Sequence, residues 1–250
     1  MGEARFYVPP EAISGDRAVI KGDQARHLIS VLRKKPGDRI LLFDGQGTEW
    51  AARIARLDRD FVVARVEAKE VHERAGRPTV ALYVAVPKGR RFDLVVEEAT
   101  ELGADAITPL VTARTVVRLD DHNLSTKLDR WRRISVAAAK QSRRSTLPQI
   151  NSPVDFSTAT EGFSESVFPI LAWSLGGSPP IYDVLREIKT AHTEIRLYIG
   201  PEGGFTREET EMAGEAGVRL ASLGENILRT ETAVIASLSA ICCFLDRKNT

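Results

Sequence analysis

The chain has 250 residues, with 35 Lys and Arg, 34 Asp and Glu, and a formal charge of +1. That length holds one large domain or two small ones with a substantial core. Composition excludes a disulfide scaffold, because the two cysteines, Cys242 and Cys243, are adjacent in an apolar stretch. Two thiols without nearby ligands also make a poor zinc site, so buried, reduced cysteines in a cytoplasmic protein are expected, with no metal. The opening RFYVPPEAI lacks the apolar segment of a leader, and no apolar run is long enough to span a bilayer. The charge is unevenly spread. Residues 1–144 carry 27 Lys and Arg against 20 acids, and residues 145–250 carry 8 against 14. A polyanion would meet the first stretch.

Residues 1–72 read mostly as strand. Asp23 is placed to cap a helix over Gln24–Lys34 with Leu28, Val31 and Leu32 on one face. Strands are predicted at Arg39–Phe43, Thr48–Ala55 and Phe61–Ala68, the first two joined by Asp44-Gly45-Gln46-Gly47, a strong hairpin signal. A small β-barrel with one short helix fits this pattern. Residues 73–78, in the polar stretch Lys69–Pro78, form the expected linker.

From residue 79 to 250 strands and helices alternate. Strands are predicted at Val80–Val86, Ala106–Leu110, Val167–Trp173, Ile195–Ile199 and Val218–Leu223. Helices are predicted at Arg90–Leu102, Leu124–Arg143, Ile181–Lys189, Arg207–Ala216 and Glu231–Asp246. Such alternation implies an α/β domain with a parallel sheet covered on both faces. Phe92, Val95, Val96, Ala99 and Leu102 recur at helical spacing, and Trp131 and Ile134 anchor the long basic helix. No G-x-G-x-x-G follows the first strand and no G-x-x-x-x-G-K occurs, against a dinucleotide fold or a P-loop.

Two segments near the C-terminus share one device. The strand Ile195–Ile199 ends in Gly200-Pro201-Glu202-Gly203-Gly204, a side-chain-poor corner that lets a ligand approach the backbone. Thr206 and Glu209 then form a T-x-x-E capping box. The strand Val218–Leu223 turns at Gly224, and Thr230 is in position to cap an apolar helix running to about Leu245. Facing corners of this kind make a cleft whose walls are backbone donors and acceptors, suited to a flat heterocycle such as adenine.

Together these motifs resemble the SPOUT superfamily of methyltransferases, and specifically the RsmE family, which methylates N3 of a uridine in 16S ribosomal RNA. The resemblance covers nearly the whole chain: RFYVPP at the start, His27–Arg33, Phe43–Glu49, Val86–Arg91, Ala99–Ala104, Pro109–Val117, Arg130–Ile134 and Ala138–Ser142 all match in order. It implies a PUA-like RNA-binding module at 1–72. For 79–250 it implies a SPOUT domain with a trefoil knot that holds S-adenosylmethionine. On this resemblance the cofactor would contact Leu171 and Ala172, then Gly200, Pro201, Glu202, Gly203 and Gly204. The second corner would add Leu223, Gly224, Ile227, Leu228, Arg229, Thr230 and Ala233.

Methyl transfer needs an aligned nucleophile, exclusion of water and stabilisation of charge on the base. A deprotonated uracil N3 spreads negative charge over two carbonyls, and an arginine would favour it. Arg114 follows a strand at its carboxyl end, where open α/β sheets place ligands; the matched T-A-R-T-V-V makes it the catalytic candidate, with Arg229 on the cleft loop as the second. The plain alternatives are a surface arginine paired with a carboxylate and an arginine that holds its own loop. Glu202 either complements the cofactor's positive charge or locks its turn. Lys88, Arg90, Arg91 and Arg118 are candidate phosphate contacts, as are Gln141 and Arg144 from the family's recurring Gln–Arg element. Lys140 and Arg143 depart from the family pattern, which has an acid and a Gly there, and Leu171-Ala172-Trp173 departs from a His-Pro ending. His27 has no partner at metal spacing.

The expected partners are 16S RNA of the small ribosomal subunit and a second copy of the chain. Two rivals stand beside base methylation. A ribose 2′-O-methyltransferase is disfavoured by G-P-E-G-G in place of the N-I-P-M-x-G corner. A catalytically silent RNA-binding or assembly factor is disfavoured by the intact pair of cofactor loops.

Overall fold

A computed structural model describes residues 3–72, 76–89, 91–117, 121–174 and 177–248. They fall into two units, one of Met1–Ala75 with Ala139–Leu147 and one of Gly76–Ala138 with Pro148–Thr250. The inclusion of Ala139–Leu147 in the first unit differs from a division of the chain at residues 73–78 alone.

The first unit is a curled six-stranded sheet. Its strands are β1 (Arg5–Tyr7), β2 (Ile13–Ser14), β3 (Arg17–Lys21), β4 (Arg39–Phe43), β5 (Thr48–Leu57) and β6 (Phe61–Val71). They lie in the order β1-β4-β5-β6-β3-β2. Alternation decides which faces are inward: Ile40 and Leu42 of β4, Ala52 and Ile54 of β5 and Val62 and Ala64 of β6 are all buried. The Asp44–Gly47 corner forms as predicted. Gly45 and Gly47 take φ of +75° and +101°, and the buried Asp44 carboxylate accepts the N–H groups of Gln46 at 2.7 Å and Thr48 at 3.0 Å.

The helix of this unit departs from expectation. α1 covers only Gly22–Arg26 and runs into a π turn, His27–Val31, closed by Leu32 N–H donating to His27 O at 3.0 Å. Asp23 is not the cap: Lys21 holds that position, and Asp23 lies in the first turn paired with Arg26. A π turn is wider than an α turn, so residues three and four positions on no longer stack over Leu28. Leu28 is fully buried, whereas Val31 is 66% and Leu32 40% exposed.

The second unit has β7 (Thr79–Ala85), α2 (Arg91–Glu101), β8 (Ala106–Val111), α3 (Asp121–Gln141), β9 (Gln149–Ile150), β10 (Val154–Asp155) and α4 (Phe156–Ala159). These are followed by β11 (Val167–Ala172), α5 (Ile181–Leu185), β12 (Glu194–Ile199), α6 (Arg207–Glu215), β13 (Arg219–Ala221) and α7 (Thr230–Lys248). The sheet runs β10-β8-β7-β12-β11-β13, with β9 also on β8, and every pairing is parallel. Parallel strands buried on both faces read as continuous apolar runs, as β11 and β12 do. On one face Leu82, Ile170 and Leu197 pack with Phe92, Val95 and Val96 of α2 and with Val234, Leu238 and Ile241 of α7. Phe92 meets Trp131 of α3 with ring centroids 4.3 Å apart. On the other face Leu110, Leu171 and Tyr198 pack with Phe156, Phe205 and Ala213. The short β9, β10 and α4 carry too little periodicity to be read from sequence. Cys242 is half-buried but Cys243 is exposed, because it falls off the α7 stripe of positions 234, 238, 241 and 245.

Asp44 is the test of the first unit's corner. Replacing it by Ala leaves two backbone N–H groups without their acceptor, so Asp44→Ala should destabilise the protein by about 1–3 kcal/mol. Urea unfolding monitored by Trp50 fluorescence would measure this.

Candidate active site

In a parallel sheet the loops that leave the carboxyl ends of the strands emerge along one edge. Here the loops after β11, β12 and β13 enclose a cavity of about 180 Å³ in the second unit. Gly200 to Gly204, Ala172, Leu223 and Ile227 line it, as do Leu228, Thr230 and Ala233. Trp173, Ser174, Ile199, Phe205 and Asn226 complete the wall, and sequence reasoning did not name them. Four of them adjoin a named residue in the chain and Ser174 lies two positions beyond Ala172, which was the available signal.

The loop after β12 is a tight turn. Gly204 N–H donates to Pro201 O at 2.8 Å, and Gly204 has φ +67°. Gly200 is required for space and Gly204 for conformation, while Gly203 leaves ordinary contact distance to its neighbour. A Cβ on Gly200 would sit 3.1 Å from the Phe205 ring, and one on Gly203 would sit 3.4 Å from Cδ of Arg114. Backbone is therefore presented to the cavity where any other residue would present a side chain. Pro201 and Phe205 are buried while Glu202 and Gly203 are exposed.

Outside residues brace this loop. Arg114, in the turn after β8, donates from Nη1 to the carbonyl oxygens of Gly203 at 2.7 Å and Phe205 at 3.1 Å. No other hydrogen bond of its guanidinium is formed among the described residues, so Nε and Nη2 remain available. Arg114 also lines the cavity. The Glu202 carboxylate accepts from the Lys88 backbone N–H at 3.4 Å and from Arg91 Nη1 at 3.5 Å, so it is tied to the loop after β7. Thr206 and Glu209 form the capping box of α6. Beside it, the exposed Glu208 carboxyl lies below the usual carboxylate range. The chief cause is a hydrogen bond to its own backbone; the Thr206 hydroxyl and, more weakly, the Arg114 charge add to it.

Thr230 does not cap α7 as expected. It is the first residue of that helix, and its hydroxyl donates to Gly200 O at 3.1 Å. The acceptor lies in the other corner, so the bond joins the two loops. Arg229 is exposed and its carbonyl accepts from Ala233 N–H at 2.8 Å; its side chain is not part of the cavity wall. Gly224, at φ +119°, is exposed beyond the wall, and Leu171 is fully buried in the core behind it. Lys88 and Arg91 are exposed next to the loop. Gln141 and Arg144 belong to the first unit, where Arg144 Nε donates to Thr146 Oγ1 at 2.9 Å. Arg90 and Arg118 lie outside the described residues. Among the described residues there is no group of His, Cys, Asp and Glu that would hold a metal ion, and no helix long and apolar enough to cross a membrane.

The comparisons with known proteins agree with this geometry. A family model described as an RNA methyltransferase domain matches residues 75–242, and one described as an RNA methyltransferase PUA domain matches residues 20–67. The chain belongs to the RsmE family of RNA methyltransferases. Ribosomal RNA small subunit methyltransferase E of Synechocystis is 33% identical over 97% of this chain and 78% of its own length. The Bacillus subtilis protein of the same name is 31% identical over 89% of this chain and 88% of its own. Among solved structures, ribosomal RNA small subunit methyltransferase E from Neisseria gonorrhoeae, bound to S-adenosyl methionine, superposes with a TM-score of 0.84. The match covers 96% of this chain and 97% of that one at 29% identity. The SPOUT-type α/β domain and the PUA-like β unit expected from the sequence are thus the architecture of the family.

Thr230 gives the site a structural test. Thr230→Val keeps the shape but removes the donor to Gly200 O, and should cost about 0.5–1.5 kcal/mol. Equilibrium denaturation against the parent protein would show it.

Proposed function

We propose that this chain uses S-adenosylmethionine to methylate N3 of a uridine in the 16S RNA of the small ribosomal subunit. The observation that carries the reading is the cavity at the carboxyl ends of β11, β12 and β13, walled by backbone and faced by Arg114. The relatives' names and the cofactor in the Neisseria structure point the same way. The residues present fit that cofactor. Gly203 and Gly204 bring exposed or half-exposed backbone to the cavity without a side chain, and Ala172, Leu223 and Leu228 offer an apolar slot for a planar base. When bound, S-adenosylmethionine supplies an electrophilic methyl group.

The protein's own task is placement and charge. A uridine inside folded RNA must leave its stack to enter such a site. Its N3 proton must be lost, and the anion spreads charge over the flanking carbonyls. Arg114 is the group placed to favour that anion: Nη1 is spent on the loop, and Nε and Nη2 are left to donate. Arg229, exposed on the loop after β13, is a second cation, from the other matched stretch of the chain. Lys88, Arg91, Gln141 and Arg144 are the described candidates for RNA contact, and Arg90 and Arg118 are the two that lie outside the described residues. The module at 1–72 supplies RNA affinity in this reading. The face of α7 turned away from the core still carries half-buried Ile235 and Ala236, which suits a two-fold dimer.

Three outcomes test this. Gly203→Val should abolish cofactor binding by calorimetry, since a β-branched side chain meets Arg114 and fills the approach to the backbone. Arg114→Ala should cut single-turnover methylation of small subunits by about 10²–10³-fold, as for one lost oxyanion donor. Its effect on cofactor affinity should stay within about tenfold, the worth of the carbonyl bonds it also loses. Arg114→Lys should recover only part of the rate, and raising the pH should help the alanine variant more than the parent. Wild-type transfer by Arg114→Ala would end its catalytic assignment. Unmethylated uridine N3 in 16S RNA from a deletion strain, read by nucleoside mass spectrometry, would test the reaction itself.

A further inference from the structure

Glu209 is the second half of a helix cap, and its carboxylate does more than that. Oε2 accepts the Thr206 N–H at 2.7 Å, and the Glu209 backbone N–H donates to Thr206 Oγ1 at 3.2 Å. Those two bonds complete the cap. The other oxygen, Oε1, accepts the N–H of Ala113 at 2.8 Å, ninety-six residues away in sequence, in the turn after β8. Ala113 is the residue immediately before Arg114. Arg114 in turn donates to the carbonyl oxygens of Gly203 and Phe205, and Phe205 is joined covalently to Thr206. The result is a closed ring of bonds: from Glu209 to Ala113, through Arg114 to the loop after β12, and back through Thr206 to Glu209.

We infer that Glu209 is a positioning residue for Arg114, setting where the guanidinium stands against the cofactor loop. The inference rests on the catalytic reading of Arg114 given above. The turn that carries Arg114 is closed by its own short bonds, Thr112 N–H to Thr115 Oγ1 at 3.0 Å and Thr115 N–H to Thr112 O at 3.1 Å. Those bonds shape the turn but do not aim it. Among the described residues its hydrogen bonds to the loop and the helix that follows it are one at the backbone of Ala113, to Glu209, and two at the tip of Arg114. A long arginine side chain held only at its tip would let the turn shift; a carboxylate gripping the adjacent N–H removes that freedom. Glu209 is half-buried and receives two N–H groups from two different loops, which a neutral amide of the same size cannot do, since its NH₂ end would face a donor.

The experiment is a double-mutant cycle on single-turnover methylation, with wild type, Glu209→Gln, Arg114→Ala and the double variant. Glu209→Gln should lower the rate by about 10–100-fold, the scale of a misplaced catalytic group. In the Arg114→Ala background the same change should cost less than about twofold, because the group it positions is gone. Equal losses in both backgrounds would overturn the inference. Raised pH should rescue Glu209→Gln as it rescues Arg114→Ala, a response that a role confined to the helix would not produce. Thr206→Ala is the control: it removes the hydroxyl half of the cap and leaves both carboxylate bonds, so it should lower the melting temperature but hold the rate within about twofold. A rate loss there matching that of Glu209→Gln would reduce Glu209 to a helix cap. Should Glu209→Gln fail to fold, Glu209→Asp keeps the charge but is too short to span both donors, and it should show the same dependence on Arg114. If Arg114→Ala alone transfers at the wild-type rate, the catalytic reading fails first. The cycle is then read in melting temperature, where non-additive shifts keep the link between Glu209 and Arg114 and additive shifts overturn it.

Discussion

The two hydrogen bonds from Arg114 to the carbonyls of Gly203 and Phe205 hold a segment that has little means of holding itself. From Gly200 to Phe205 the chain has one ionisable side chain, Glu202, and three glycines. Such a loop can expose backbone to a ligand, but the freedom that permits this also has a large entropy to lose on ordering. Its shape must therefore be imposed from outside. Arg114 reaches it from the turn after β8, Glu202 ties it to the loop after β7, and Thr230 binds its first carbonyl from the start of α7. Each brace comes from the carboxyl end of a strand or from the element that follows one, where a parallel sheet brings its loops together.

The braces succeed because the ends of the loop are fixed. Ile199 is 2% exposed and Phe205 1% exposed, and they pack on opposite faces of the sheet, Ile199 with α2 and α7, Phe205 with Phe156 and Tyr198. Tyr198 is itself held by its hydroxyl, which donates to Ala159 O at 2.5 Å, and burial pushes its ionisation far above the ordinary phenol range. A phenol that stays neutral and bonded at any working pH is a firm floor for Phe205. The loop is thus pinned at both ends by apolar burial, and the five residues between them, Gly200–Gly204, are shaped by polar contacts. Burial sets where the loop is, and hydrogen bonds set how it is bent.

What could be read in the sequence follows from the range of the interactions. Asp44-Gly45-Gln46-Gly47 was legible because its bonds close within four residues. The strands of the sheet were legible because β11 and β12 are apolar along their whole length. The capping box of Thr206 and Glu209 was legible for the same local reason, yet the second oxygen of Glu209 was not, since its donor is ninety-six residues away. Thr230 illustrates the failure in reverse: a residue with the right chemistry and position for a cap spends its hydroxyl on Gly200 because a better acceptor arrives from another strand end. The π turn at His27–Val31 hides Leu28 and exposes Val31, an outcome that a 3.6-residue projection cannot give. The cofactor wall was legible in its glycines and Thr230, and incomplete in Trp173, Ser174 and Asn226, whose side chains reach the cavity only through the folded geometry.

The distribution of charge governs how a polyanion would approach this site. The second unit's cavity has a surplus of acids in the chain that forms it, and its own polar surface is mostly backbone. In the reading proposed above, attraction of RNA must come from cations at its rim, and Arg91 is one of these. It stands 3.5 Å from Glu202, both side chains being roughly two-fifths exposed, at 44% and 38%. A pair so exposed contributes little free energy, about 0–1 kcal/mol. A phosphate arriving at the rim can therefore draw Arg91 away at small cost. The same weakness means that Glu202 adds little to the stability of the loop, and that losing Arg91 to RNA would leave the bonds from Arg114 and Thr230 to keep it in shape. A rim cation loosely held and a loop firmly held by other groups are compatible requirements, and the separation of Arg91 from Arg114 on different strand ends is what allows both.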